Sequence, residues 1–217
     1  MNTAKIVAIT NPLVEGVNTA DQFIAYAARV SNPSNQMNNE TSEKLLKYCI
    51  RNKHFSVFEM VNVVMEIETT RDIARQVLRH RSFSFQEFSQ RYADPTKDLG
   101  FVTREARLQD TKNRQNSIEF DDDEIKQQWE EYQASLIEQV ETAYNWAIDR
   151  GIAKEQARAI LPEGLTASRM YMNGTLRSWI HFCELRMANG TQKEHQEVAK
   201  SAWDQLALYF KFLTNHN

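Results

Sequence analysis

Glycine and proline are scarce in this chain, which has six glycines and four prolines among 217 residues. The glycines form neither G-x-G-x-x-G nor G-x-x-x-x-G-K-[ST], so the backbone phosphate cradles of Rossmann and P-loop proteins are not expected. Any phosphate that this chain binds must therefore be held by side chains.

Other absences narrow the class of protein further. No apolar run approaches the roughly 20 residues that cross a bilayer, and the N-terminus lacks the basic and apolar segments of a secretory signal. The two cysteines, Cys49 and Cys183, are isolated and lack metal-like spacing. We therefore expect two buried thiols in a reducing, cytoplasmic protein, without a metal site or membrane contact.

The bulk composition is that of an ordinary soluble globular protein. Apolar residues make up 41% and charged residues 25% of the chain, whose net charge is −3. A chain of this length can bury one large core, and no linker or repeat divides it. We therefore expect a single domain over residues 1–217.

Arginine is concentrated in one short segment, residues 71–91. Five arginines lie there against two carboxylates, and lysine is absent. The guanidinium fork suits phosphate and carboxylate oxygens, and the interleaved phenylalanines require that part of the segment be buried, where charge needs partners. The segment predicts an anion-binding site; the alternative is a solvated helix face with internal ion pairs.

Hydrophobic periodicity predicts strands alternating with helices. The predicted strands cover residues 5–10, 61–68 and 165–172, with an extended segment at 82–92. The predicted helices cover 20–30, 39–52, 70–78, 121–149, 154–161, 175–187 and 191–213. Alternation in the extended segment places Glu87, Ser89 and Arg91 on one side, where they would meet one ligand.

Two helices carry further local signals. An apolar stripe runs along the longest helix and predicts that this face lies in the core; its members are Ile125, Trp129, Tyr132, Leu136, Val140, Ala143 and Ala147. Residues 191–194 read Thr-Gln-Lys-Glu, which predicts a capping box at the start of the last helix.

The flavin-dependent thymidylate synthases have a motif that residues 79–92 resemble closely: Arg79-His80-Arg81-x-x-Ser84-x-x-Glu87-x-Ser89-x-Arg91-Tyr92. Shorter matches are His54-x-x-x-x-Glu59, the stretch 157–162 around Arg158, and the pair Leu185-Arg186. The resemblance extends from Ala27 to about Glu197, although only residues 76–92 are highly specific.

The resemblance implies an α/β (α+β) fold with a mixed central sheet flanked by helices and a helix-rich C-terminal half. It implies an enzyme that methylates dUMP to dTMP, with methylenetetrahydrofolate as carbon donor and NADPH as reductant through FAD. It also implies a homotetramer with active sites shared between subunits, in the cytoplasm of a bacterium or, for a virus-encoded enzyme, of its host.

The family's functional residues carry over to numbered positions here. Those implied to contact the flavin are Ser31, His54, Ser56, Glu59, Arg79, His80, Arg81, Glu87, Thr175, Arg177 and His181. Those implied to bind the nucleotide are Gln76, Arg79, Glu87, Ser89, Gln90, Arg91, Arg158 and Arg186. Arg186 is also the implied catalytic residue, which promotes ionisation of the pyrimidine at N3.

This chain departs from the family pattern at four positions. Gln86 replaces an asparagine of the motif, and His181 replaces a flavin-side asparagine. The family's asparagine–x–arginine contact falls on Thr175-x-Arg177, or on Asn173 if one residue is inserted. A later histidine falls on Gly190.

Two functions of other classes compete with the enzyme. An arginine-rich helical nucleic-acid-binding protein would use residues 70–81 to track phosphates, but a net charge of −3 and a pI near 6.0 weaken it. A structural helical assembly factor would explain the long amphipathic helix but leaves residues 79–92 without a purpose.

Overall fold

The structure is a computed structural model that describes residues 1–214. Six strands are described: β1 (Thr3–Ile9), β2 (Asn62–Thr70), β3 (Ser84–Glu87), β4 (Leu108–Gln109), β5 (Ser117–Ile118) and β6 (Ala167–Thr175). The described helices are α1 (Ala20–Ala28), α2 (Ser42–Arg51), α3 (Arg71–Val77), α4 (Pro95–Asp98), α5 (Asp123–Asp149), α6 (Lys154–Ala157), α7 (Leu176–Met187) and α8 (Lys193–Tyr209).

A four-stranded sheet organises the fold, with the order β1-β2-β6-β3 and antiparallel pairing throughout. The alternation predicted for the second strand is confirmed, since Val63, Met65 and Ile67 are buried while Glu66 and Glu68 are not. Apolar side chains on one face of this sheet meet α7 and α8 in the core. The predicted α/β fold, with a central sheet flanked by helices, is therefore confirmed, but the prediction of a mixed sheet is wrong, because all three strand pairs are antiparallel.

Aromatic side chains fill the core next to the arginine-rich segment. Trp179 of α7 is fully buried, and its indole Nε1 donates a hydrogen bond of 3.0 Å to the carbonyl of Val63. The ring of Phe83 stands edge-on to Trp179 with 4.9 Å between centroids. This cluster gives the turn that precedes β3 a rigid support.

Both cysteines are buried and free, as predicted. Burial raises the pKa of the Cys49 and Cys183 thiols, so neither is an activated nucleophile. No helix within residues 1–214 is long and apolar enough to cross a membrane.

The prediction for the longest helix is wrong along half of its length. Val140 and Ala147 of α5 are buried in a small second core, but Trp129, Tyr132 and Leu136 are exposed. Tyr132 keeps 74% of its surface. Periodicity identifies an apolar face, whereas only the tertiary structure shows that nothing within the described chain covers it.

Two further local predictions are wrong. Gln192, not Thr191, is the N-cap residue of α8, and no side chain caps it; the carboxylate of Glu194 is held instead by Arg104 and Arg107. The extended segment ends at Glu87, because the chain turns at residues 89–93. Strand alternation therefore does not carry Ser89 and Arg91 to the side of Glu87.

Candidate active site

Helix α3 delivers the arginine-rich segment to its place. Asp72 lies in its first turn, as predicted, and accepts a hydrogen bond of 2.6 Å from the Thr70 hydroxyl. The helix ends at Val77, and the chain then turns through residues 78–83 before it enters β3. Arg79 and Arg81 are exposed in this turn, while His80 is half-buried.

His80 and Arg186 form the centre of one polar cluster. The Arg186 guanidinium donates from Nε to His80 Nε2 over 2.8 Å, which joins the predicted flavin-side motif to the predicted catalytic residue. Burial, with Arg186 nearby, lowers the pKa of His80 to about 4. His80 is therefore a neutral acceptor at pH 7, and it orients the guanidinium without sharing its charge.

Arg186 itself lies in an electropositive setting. Burial and the neighbouring Arg79 lower the pKa of its guanidinium, which is nevertheless charged at neutral pH. With Nε committed to His80, its terminal N–H groups are the ones left to meet a ligand. Such a fork next to a base would stabilise negative charge as it develops there.

Gln76 belongs to the same cluster through two residues that the sequence did not single out. Its Nε2 donates to Gln192 Oε1 over 2.8 Å, and its Oε1 lies 3.3 Å from Nδ1 of His195. His195 is fully buried, and burial with the Arg186 charge lowers its pKa to about 3. The apolar periodicity of α8 indicates that His195 points into the core, but it does not identify Gln76 as its hydrogen-bond partner.

A cavity of about 380 Å³ opens between α7 and the 3₁₀ turn Phe55–Met60. Glu59, Arg177 and His181 line it, together with Ser82, which directly follows the Arg79–Arg81 motif. Arg177 and Glu59 form an ion pair across the turn and helix. The sequence predicted these three residues as flavin contacts, and the structure brings them together.

The remaining predicted flavin contacts lie around this cavity or apart from it. His54 precedes the 3₁₀ turn and Ser56 lies within it, and both are exposed. The His54 ring stands edge-on to Tyr48. The Thr175 hydroxyl accepts from the Ser178 amide as the N-cap of α7, so this side chain already has a structural partner. Ser31 lies in the exposed turn after α1.

A second polar group contains the rest of the predicted nucleotide site. Glu87 faces inward, where one carboxylate oxygen accepts from Arg71 over 3.3 Å and from the Ser168 hydroxyl over 2.9 Å. Arg91 pairs with Glu155 at the start of α6, 3.3 Å away. Arg158 lies in the 3₁₀ turn that follows α6. Gln90 is buried, whereas the Ser89 hydroxyl accepts a hydrogen bond from the Arg91 amide.

The two polar groups leave α3 in different directions. Arg71 contacts Glu87 in the second group, and Gln76 contacts Gln192 in the first. Five residues apart on a helix, these side chains project about 140° from each other. Within residues 1–214, no hydrogen bond or ion pair joins Ser89, Arg91 or Arg158 to Gln76, Arg79 or Arg186.

A larger cavity of about 710 Å³ lies beneath the β4–β5 hairpin. Its wall includes Arg107, Arg114, Lys193 and Gln192, so it borders the first polar group through Gln192. Within the described residues, no group of three or more His, Cys, Asp or Glu side chains is placed to hold a metal ion.

Comparison with known proteins decides between the competing functions. The family model described as thymidylate synthase complementing protein matches residues 12–210. The chain is 53% identical over 199 residues to a probable flavin-dependent thymidylate synthase of Paramecium bursaria Chlorella virus 1, covering 92% of this chain and 91% of that protein. This chain belongs to the flavin-dependent thymidylate synthase family.

Other comparisons agree with this assignment. A flavin-dependent thymidylate synthase of Synechocystis sp. is 47% identical over 201 residues, which cover 91% of each chain. The crystal structure of PolB from Streptomyces cacaoi, a UMP/dUMP methylase bound with 5-Br dUMP, superposes with a TM-score of 0.79 at 26% identity, over 97% of this chain and 92% of PolB. The protein is thus a flavin-dependent enzyme that methylates dUMP to dTMP.

Proposed function

We propose that this thymidylate synthase binds FAD as its flavin, takes the methylene carbon from methylenetetrahydrofolate, and uses NADPH as reductant. The His80–Arg186 contact supports this proposal above all, because it joins the Arg-His-Arg motif to the arginine that the family resemblance assigns to the pyrimidine. Bound FAD would supply the redox chemistry that converts the transferred carbon to a methyl group.

The residues present suit a flavin at the α7 cavity. Arg177, His181 and the nearby Arg79–Arg81 turn offer cations and hydrogen-bond donors, and the reduced flavin and the FAD pyrophosphate both carry negative charge. A cavity of about 380 Å³ accommodates part of a dinucleotide. We therefore assign Glu59, Arg79, His80, Arg81, Arg177 and His181 to FAD, with His54, Ser56, Ser31 and Thr175 at its edges.

On the nucleotide side, Arg186 and Gln76 have distinct roles. Arg186 directs its terminal N–H groups at the pyrimidine and stabilises the anion formed by its ionisation, while His80 holds the guanidinium from behind. Gln76 orients the nucleotide beside it. The phosphate is held by Arg79, Ser89, Gln90, Arg91 and Arg158. Glu87 acts indirectly, because it accepts a hydrogen bond from Arg71 at the start of α3.

We further propose that the site is shared between subunits of a cytoplasmic homotetramer of single-domain chains. The two polar groups make no hydrogen bond or ion pair with each other within residues 1–214, and this supports the proposal, because a second copy would bring Arg91 and Arg158 to Arg186. The exposed apolar face of α5 at Trp129, Tyr132 and Leu136 offers a surface for such a copy.

Two measurements test the proposed chemistry. The purified protein should show the visible absorption of a flavoprotein and should oxidise NADPH faster once dUMP is added. A colourless protein that FAD does not reconstitute would contradict the cofactor assignment.

Subunit mixing tests the shared site. Arg186→Ala and Arg91→Ala tetramers should each be inactive, but tetramers reassembled from both variants should regain part of the activity, because some sites combine the intact halves. Reassembly that restores nothing, although the mixed tetramers form, would place both arginines in one chain's site.

A further inference from the structure

A chain of four hydrogen-bonding side chains runs from a buried carboxylate to the nucleotide side of the site. Glu194 is paired with Arg104 and Arg107, and its Oε2 accepts from Gln192 Nε2 over 2.9 Å. Gln192 Oε1 then accepts from Gln76 Nε2, and Gln76 Oε1 meets His195 Nδ1. The four side chains therefore form one continuous relay.

The carboxylate sets the polarity of this relay. A carboxylate only accepts, so Gln192 must turn its NH₂ towards Glu194 and its carbonyl towards Gln76. Gln76 must then offer its NH₂ to Gln192 and its carbonyl oxygen to His195. Since that oxygen accepts, His195 must carry its proton on Nδ1, which leaves Nε2 as a bare acceptor.

Nε2 of His195 is fully buried and has no hydrogen-bond partner among residues 1–214. Its ring lies 6.2 Å from the His80 ring and nearly perpendicular to it, beside Arg186. A proton on Nε2 of His195 would place a further N–H donor next to the Arg186 guanidinium, which already donates a hydrogen bond to His80. The relay excludes that proton by holding the other tautomer.

We propose that His195 is a positioning residue for the nucleotide site: its Nδ1–H holds the carbonyl end of the Gln76 amide while Gln192 holds the NH₂ end, so that the amide keeps one orientation beside the nucleotide. An amide that is free to flip presents either its NH₂ or its carbonyl, whereas one held at both ends presents a single pattern of donor and acceptor. This inference rests on the proposed assignment of Gln76 and Arg186 to dUMP and adds Glu194, Gln192 and His195 as its support.

The tautomer can be read without any ligand. Two-bond ¹H–¹⁵N correlation spectra of the full-length protein should show His195 protonated at Nδ1, with its signals assigned by their loss in His195→Asn. A His195 ring protonated at Nε2 would overturn the inference.

Calorimetric dUMP binding to the FAD-loaded enzyme tests the consequence. His195→Asn keeps a donor near the Nδ1 position and should stay within about threefold of the wild-type Kd. His195→Leu removes that donor and should weaken dUMP binding by about tenfold. Gln192→Leu should do the same, because it cuts the relay one step earlier.

A matched control separates positioning from loosened packing. Leu206 lies on the same face of α8 and is equally buried, so Leu206→Ala should lower Tm yet leave the Kd unchanged. If folded His195→Leu and Gln192→Leu bind dUMP as tightly as wild type, the inference is overturned and the proposed function stands. If the wild-type protein binds neither FAD nor dUMP, both this inference and the proposed function are refuted.

Discussion

Gly174→Ala should destabilise the fold, because the added methyl group clashes with the Phe83 ring, and a second substitution that removes this ring should relieve the clash. A Cβ built at this β6 position would lie 2.4 Å from Cδ1 and 2.5 Å from Cε1 of Phe83, well inside van der Waals contact. Phe83 is buried against Trp179 and follows the Arg79–Arg81 turn. Gly174→Ala must therefore move the ring that supports this turn.

The magnitude follows from overpacking and from cavity formation. Extra volume in a close-packed core costs about 1–3 kcal/mol of unfolding free energy, which we expect for Gly174→Ala. Phe83→Ala alone should cost about 3–5 kcal/mol. Removal of the ring removes the three atoms nearest to the added Cβ, and alanine in a strand is better than glycine by roughly 0.5–1 kcal/mol. The effect of Gly174→Ala should thus reverse sign.

Urea unfolding of the wild type, both single variants and the double variant, at one protein concentration, measures this coupling. Gly164→Ala is the matched control, because no atom of the described residues lies within 4 Å of its added Cβ, and it should change stability little. If Gly174→Ala costs the same with and without Phe83, the ring contact is not what requires glycine.

Three further predictions concern the charge and surface of the enzyme. Arg186→Ala should abolish turnover while the flavin absorbance remains, and loss of the flavin alone would show that Arg186 belongs to the other pocket. Burial lowers the pKa of His195 to about 3 in the fold against 6.5 ordinarily, so the unfolded chain binds this proton first and stability falls as the pH drops from 6.5 towards 3. Thermal melts should therefore show a smaller acid loss for His195→Asn than for wild type, and an equal loss would exclude His195 from this effect. Tyr132→Asp should lower the mass of the proposed homotetramer in light scattering, whereas Glu131→Gln at the neighbouring exposed position should not. An unchanged mass for Tyr132→Asp would exclude the α5 face from the proposed interface.

The sequence by itself determined the kind of chemistry. The scarcity of glycine predicted that side chains rather than a backbone cradle hold any phosphate, and the fourteen residues from Arg79 to Tyr92 are specific enough to identify the family. Local periodicity also predicted β1, β2 and the long helix α5, because alternation and helical spacing depend on neighbours in the chain. The reversal of the chain after Glu87 carries no such signal.

Only the tertiary structure decided which side chains meet. His80 reaches Arg186 across 106 positions, and His195 reaches Gln76 across 119. Such pairs have no periodicity, because helix packing rather than spacing brings them within hydrogen-bond distance. The same reason explains why the apolar stripe on α5 predicted a buried face that is partly exposed. Hydrophobicity indicates that a face is favourably buried, but it does not identify the surface that buries it.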